Sequence, residues 1–231
     1  MKALRLTTAM ALTMVYMLAG CGEQKVVVEA DRLRERAGKM YVKNAKEPFT
    51  GTAVEHYPNK RTREEIEYLD GKRNGKTIEW YKNGEKKSET EYRAGVKHGK
   101  RIKWYENGQK EAEIDYHAGV KHGKRIEWYE NGQKWMEGEL RDGKEHGKWL
   151  EWYDNGQKEA EIEFQEGVPS GKTIKWYSNG QKHVEQVWRH GTLDGIHFAW
   201  HENGQKKEEV EYCVGYEVSR KEWDEAGEPI E

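Results

Sequence analysis

The sequence predicts an all-β fold, an elongated antiparallel meander of tandem 24-residue β-hairpin repeats. Three observations predict it. Trp80, Trp104, Trp128, Trp152, Trp176 and Trp200 stand 24 residues apart. An Asn-Gly pair follows each of them three residues on, from Asn83-Gly84 to Asn203-Gly204. Between these landmarks apolar and polar residues alternate at period two, as in a half-buried strand, and no long apolar stretch runs at helical spacing.

The elements come in order from the N-terminus. Residues 1–21 read as a lipoprotein signal peptide. Lys2 and Arg5 supply the positive start, and the run from Leu6 to Leu18 is uncharged, mostly apolar and 13 residues long. That length suits a secretory segment and is short for a membrane span. The segment ends Leu18-Ala19-Gly20-Cys21, which resembles the bacterial lipobox. The resemblance implies a lipid anchor on Cys21 and cleavage before it. It also implies an exported chain tethered to the cell envelope, at the outer membrane if the source is Gram-negative. Cys213 is then the only other cysteine, so no internal disulfide framework is available.

Residues 22–47 lie outside the repeat and read as a tether and N-terminal cap. Gly22 to Lys25 form the tether. Val26-Val27-Val28 and Lys39-Met40-Tyr41-Val42 are candidate capping strands, and the charged stretch from Asp31 to Arg36 is a candidate short helical turn. Residues 48–231 form the repeat array. One period before Trp80 stands His56-Tyr57-Pro58-Asn59, a degenerate first copy, and Trp223 with Ala226-Gly227 closes the last of eight. Atypical end units are expected of caps.

Composition agrees. The chain of 231 residues is 35% hydrophobic and 35% charged, with only 3 Phe but 10 Trp and 13 Tyr. A disordered polar chain lacks such aromatics, so the core is built from repeated ones. Removing the signal segment takes Lys2 and Arg5 from the 40 basic residues and leaves 38 against 42 acidic. The charges are interleaved, with no basic stripe to follow phosphates, which argues against nucleic acid as a partner.

Each unit reads as two strands, for example Gly99 to Tyr105 and Gln109 to Tyr116. The turn between them is argued from parity. A two-residue Asn-Gly turn would set Trp104 opposite Glu111 and scatter the apolar residues over both faces. A three-residue loop, Glu106-Asn107-Gly108 with Gly108 left-handed in a bulge, sets Trp104 opposite Lys110 and Ile102 opposite Ala112. This puts the apolar side chains on one face. The Trp ladder is then the packed face, and the row of Tyr81, Tyr105, Tyr129, Tyr153 and Tyr177 lies on the open one.

The pattern Gly-Lys-x-x-x-Trp-Tyr-x-Asn-Gly-Gln-Lys-x-x-Glu, followed by Gly-x-x-x-Gly, resembles the MORN-repeat variant family over about residues 48–231. The opening Pro48-Phe49-Thr50-Gly51 is similar to the way such arrays begin. The resemblance implies an elongated meander without catalysis. It also points to the bacterial YwqK-like group, whose members carry an antitoxin label. The export signal sets this chain apart from a cytoplasmic antitoxin.

Candidate chemistry is sparse. His98, His122 and His146 each precede a glycine in successive units, roughly 10 Å apart by strand spacing, too far to share one metal ion. They read as loop-capping residues, and His117, His183, His190 and His197 as surface ones. Glu pairs such as Glu111/Glu113 and Glu159/Glu161 recur in most units, whereas catalytic carboxylates are singular and sit in a pocket. They read as cross-strand partners of lysine. The Tyr row is the candidate binding surface, through stacking or partner anchoring; that it only covers neighbouring strands stays open. No catalytic residue, metal or cofactor is implied. The chain is expected to be a non-enzymatic, membrane-anchored scaffold for a protein partner, with an immunity or antitoxin-like variant of that role. The alternative is a glycan- or peptidoglycan-binding envelope module.

Overall fold

The computed structural model describes residues 26–230. The expected signal segment with Cys21 and the expected tether lie outside the described residues. The chain begins with β1 (Val27–Glu29), a single 3-10 turn (Ala30–Arg32), and a hairpin of β2 (Leu33–Arg36) and β3 (Lys39–Val42). The first repeat supplies β4 (Gly51–His56) and β5 (Thr62–Leu69). Then come β6 (Lys72–Trp80), β7 (Lys86–Arg93), β8 (Val96–Trp104), β9 (Lys110–His117), β10 (Val120–Trp128) and β11 (Lys134–Arg141). They are followed by β12 (Lys144–Trp152), β13 (Lys158–Gln165), β14 (Val168–Trp176) and β15 (Lys182–Arg189). A split strand comes next, β16 (Thr192–Leu193) and β17 (Gly195–Trp200), paired with β18 (Lys206–Cys213). The last pair is β19 (Tyr216–Trp223) and β20 (Pro229–Ile230).

All of these strands except β2 and β3 belong to one 18-stranded sheet. Successive repeat strands pair antiparallel down the chain, and β1 lies parallel to β4. The expected all-β meander of hairpins is therefore present, as a mixed sheet with one parallel pair. Among the described residues the only helical element is the 3-10 turn.

The N-terminal segment caps the first unit. Leu33 and Phe49, each 4% exposed, form a cluster with Ala53, Ile66 and Tyr68, and Val28, Met40 and Val42 pack against it. The backbone is laced into the first turn, with Phe49 N donating to Met40 O and Gly71 N to Phe49 O. The stretch from Asp31 to Arg36, expected as a helical turn, is helical only at its start. From Leu33 on it is strand, because Leu33 is drawn into the cluster and Arg34 pairs with Tyr41.

The Asn-Gly turns are three-residue loops, as the parity argument required. Tyr105 N donates to Gln109 O and Gly108 N to Tyr105 O, and Gly108 has φ +82°. Trp104 stands opposite Lys110. One residue further on, however, Glu111 is extra, and the next pairs are Lys103 with Ala112 and Ile102 with Glu113. This second bulge shifts the register again and cancels the parity of the first. It recurs at the same place in the other repeat hairpins, except the last, where β19 and β20 pair without it.

The expected single apolar face is therefore wrong. Ile102 and Trp104 project to one side, called here the outer face. Ala112, Ile114 and Tyr116 project to the other, the inner face, and are buried there. Side-chain period two makes a one-residue shift exchange the faces of a whole strand, and two shifts restore the alternation that one had removed. The packed face is the inner one, with Ser88, Thr90, Met136, Leu140, Ala160, Ala199 and Val210 also buried. The Trp residues of the ladder are half-buried.

A single sheet covers this inner face with the stems of long side chains, which keep their charges in water. Arg73 lies over Tyr92 and Lys97 over Tyr116. One unit is specialised. Trp149, 2% exposed, lies on Gly138 of the neighbouring strand, where an added Cβ would come within 2.3 Å of the indole. The indole Nε1 donates to Glu139 O, Phe164 meets the ring edge-on, and Met136 and Leu140 complete the cluster. Large and small residues have exchanged places here: the equivalents of Trp149 include Thr77 and Arg101, and those of Gly138 include Thr90 and Ile114.

The units join through two-residue turns whose central residues both have positive φ, such as Ala94 and Gly95 at +51° and +90°. That is the geometry of a type I′ hairpin turn. The second glycine of the Gly-x-x-x-Gly, which opens the first strand in the sequence reading, lies inside a longer strand at Gly75, Gly99, Gly123, Gly147 and Gly171. Tyr92 pairs with Lys97 and Thr90 with Arg101, so His98, Gly99 and Lys100 bulge opposite Glu91 alone. Lys100 N–H donates to the Glu91 carboxylate, which occupies the place of a Cβ on Gly99.

Candidate interaction surface

The Tyr row has a structural task that the sequence left open. Tyr81, Tyr105, Tyr129, Tyr153 and Tyr177 each donate a hydroxyl hydrogen bond of 2.7–2.8 Å to the backbone carbonyl of the Trp one unit on. Tyr57 does the same from the first copy. His201, which interrupts the row in sequence, places its Nε2 3.0 Å from Trp223 O and keeps the contact. Beside each Tyr, the turn Asn donates from Nδ2 to a carbonyl of the next turn, as Asn107 does to Glu130 O at 2.9 Å. Its Oδ1 accepts from the amide two residues on, here Gln109 N. Burial pushes the phenol pKa values of all five tyrosines up, so each hydroxyl remains a donor at neutral pH. The repeated Trp-Tyr-x-Asn-Gly motif is thus the seam between units. The rings are half-buried, and what they offer a ligand is their edges and faces.

The outer face repeats a second device. Lys110 Nζ lies 5.5 Å from the ring centre of Trp128 and 2.9 Å from Glu113. Lys100 bonds to the same carboxylate. Equivalent sets are Lys76, Lys86 and Glu89 with Trp104, and Lys148, Lys158 and Glu161 with Trp176. Lys134 and Lys182 lie over Trp152 and Trp200 in the same way. Trp and Lys therefore alternate along the array. The lysine hydrogen bonds hold the carboxyls of Glu113, Glu137, Glu161 and Glu185 below their ordinary pKa.

The expected cross-strand lysine partners exist for Glu113 and Glu161. The bulge parts the pairs across the two faces, so Glu111 bonds Lys103 on the inner side at 2.9 Å. On that side charge is partly desolvated: burial raises the pKa of Glu64 and of Glu151. His122 Nδ1 sits 3.4 Å from the Asp142 amide of the next turn, a contact made by Asn74 and Asp194 elsewhere, as expected of a loop cap. His197, expected at the surface, is instead enclosed on the inner face between Gln186 and Glu208, 3.0 and 3.1 Å away. Among the described residues no three His, Cys, Asp or Glu side chains are grouped to hold a metal ion. No described helix is long and apolar enough to cross a membrane, which says nothing of strands.

None of the curated proteins matches the chain. A family model does. Residues 73–94, 97–118, 121–142, 145–166 and 193–213 each match the MORN repeat variant. The hairpins left unmatched, at both ends and at 168–189, keep the same turn, and all but the last, where Trp223 and Glu222 pair with Pro229 and Ile230 in unbroken register, keep the second bulge. The chain is accordingly a repeat protein, five of whose units match the MORN repeat variant.

Proposed function

We propose that the array is a non-enzymatic interaction scaffold for a protein partner, held at a cell-envelope membrane through a lipid on Cys21. The observation that carries the scaffold reading is the regularity of the outer face. One Trp, two Lys and one Glu recur at fixed spacing over successive units, and long repetitive surfaces are what repeat arrays offer to partners. The anchor rests on the Leu18-Ala19-Gly20-Cys21 segment behind an apolar run. An immunity or antitoxin-like task fits this reading if the toxin arrives from outside, since the same segment directs the chain out of the cytoplasm. Such a chain is placed at the outer membrane in a Gram-negative cell. No cofactor takes part.

One observation favours a second reading. The Trp ladder lies on the outer face, half-exposed, and a spaced row of indoles is a surface on which sugar rings stack. A glycan- or peptidoglycan-binding module is therefore the alternative. The test is capture from envelope extracts by the lipidated protein, in parallel with retention on purified peptidoglycan. The control variant carries Lys110→Glu, Lys134→Glu and Lys158→Glu. A protein captured by the wild type and lost by the variant supports the scaffold. Retention on peptidoglycan without a captured protein overturns it in favour of the alternative.

A further inference from the structure

One position of the repeat does not follow the pattern. The extra residue of the second bulge is Lys87, Glu111, Glu159, His183 or Lys207 in other units, polar every time. In the fourth full hairpin it is Trp135, which is 40% exposed. Nothing in the seam or in the inner core asks for an indole there, because the equivalent hairpins close without one. Its ring stands 6.4 Å from that of Tyr129, with the planes inclined at 53°. Two inclined aromatic rings present π-faces to a common space, the arrangement that attracts a cation.

The charges around this pair have the matching sign. The carboxylates of Glu159, Asp154 and Glu151 bear on Tyr129. Glu151 lies in the neighbouring strand, opposite Met136, the residue after Trp135. The inner-face acids at the equivalent positions of other units are mostly satisfied: Glu79 accepts from Ser88, Glu111 pairs with Lys103, Glu127 with Arg125, and Glu208 with Arg220. Among the described residues Glu151 and Glu159 form no ion pair. The cation that bears on Glu151 is Lys175, one hairpin away and outside ion-pair distance. Burial pushes the Glu151 carboxyl up, and a cation brought beside it would relieve that cost.

We propose that Trp135 and Tyr129, with Glu151 and Glu159 beside them, form a recognition site for a lysine or arginine side chain presented by a protein partner. The site rests on the scaffold reading and adds the chemistry of the partner: a basic residue on an exposed segment that enters the inner face mid-array. Aromatic rings would take the alkyl stem or the guanidinium plane, and the two carboxylates the charge. The Tyr129 hydroxyl stays committed to Trp152 O, so its ring, not its oxygen, is the contact.

The experiment measures fluorescence anisotropy of a labelled trilysine peptide on the full lipidated chain in detergent, at fixed ionic strength. A peptide acetylated on every lysine is the neutral probe. Wild type should bind trilysine saturably and the acetylated peptide hardly at all. Trp135→Gln places a polar residue where other units have one, so its thermal melt should match wild type while affinity falls about tenfold. Glu151→Gln with Glu159→Gln should weaken binding by a similar factor. Equal binding to wild type and Trp135→Gln, or equal binding of both peptides, would overturn the site. So would displacement of trilysine by tetramethylammonium at lower concentration than by unlabelled trilysine, which would point to a small ammonium compound. Loss of peptide binding by a chain that still captures an envelope protein counts against this site alone. Peptide binding without any captured protein counts against the scaffold alone.

Discussion

Both faces of the sheet carry apolar side chains and treat them differently. On the inner face Ala112, Ile114 and Tyr116 are buried beneath the stems of Arg and Lys. On the outer face Trp104 and Ile102 of the paired strand remain half-exposed, with a lysine ammonium over the indole. Along the ladder, the residues with the largest apolar surface are not the ones the fold buries best. What decides the faces is backbone register, set by two bulges per hairpin, and not the size of the side chains.

The contrast can be sharpened first where its effect is largest. Trp149, the one inner-face indole in a closed cluster, should lose about 3–5 kcal/mol of stability on truncation to Ala. Trp128, on the outer face, should lose roughly 1–2 kcal/mol, in proportion to its half-buried area. Urea denaturation of the two variants measures both. Equal losses would mean that the outer indoles are packed as tightly as the inner one.

A smaller difference separates two glycines. Gly99 has φ +89° and a carboxylate in the place of its Cβ, whereas Gly147 has φ +71° and nothing within 4 Å. Gly147→Ala should cost about 1 kcal/mol for the left-handed backbone alone. Gly99→Ala should cost about 1–3 kcal/mol, because the Lys100 amide also loses its Glu91 acceptor. Chemical denaturation checks the order, which a reversed result would refute.

Next in size is the seam. Tyr129→Phe keeps the ring and removes the bond to Trp152 O, a loss of about 0.5–1.5 kcal/mol. The same change at Tyr153 should match it, because the bond recurs at 2.8 Å. Melting curves of the two variants should be superimposable.

The smallest effect is the pH dependence of the two faces, which has opposite signs. Glu113, Glu137, Glu161 and Glu185 have depressed pKa values when folded. Their contribution is present above the unfolded value of about 4.3 and is lost as pH falls through the lower folded values. Glu64 and Glu151 have raised values; burial disfavours their charged forms, and protonation as pH falls through those values relieves the cost. Thermal melts between neutrality and pH 3 should therefore hold at first and then fall. Glu151→Gln should not destabilise the chain at neutral pH, and Glu113→Gln should do so slightly. A monotonic rise in stability down to pH 3 would contradict the assignment of the outer-face lysine bonds.

Much of this fold was legible in the sequence because repetition multiplies weak signals. The hairpin period, the three-residue loop at Gly108 and the strands at Val27–Glu29 and Lys39–Val42 follow from glycine placement and alternation. The second bulge was not legible. Its extra residue, Glu111 or its equivalents, needs no special φ and leaves no glycine to mark it. The turn at Ala94-Gly95 was hidden for a related reason: alanine holds a positive φ there where asparagine or aspartate would have signalled it. The seam task of the tyrosines, too, depends on bonds between residues 23 apart, which only the stacking of units brings together. Trp135 was visible as a break in the pattern, but its meaning depends on Tyr129 and on carboxylates from the next strands.

The register itself can be tested by cross-linking in a Cys213→Ser background, leaving the lipidated Cys21 in place. One variant carries Lys103→Cys with Ala112→Cys, a pair that stands directly opposite across the hairpin. The other carries Ile102→Cys with Ala112→Cys, which a three-residue loop without the second bulge would bring opposite. Cross-strand partners lie within about 4.5–5.5 Å, inside disulfide range, while side chains on opposite faces point apart. Mild oxidation should cross-link the first pair and leave the second reduced. Efficient cross-linking of Ile102→Cys with Ala112→Cys, and none of the first pair, would show that the apolar residues share one face after all.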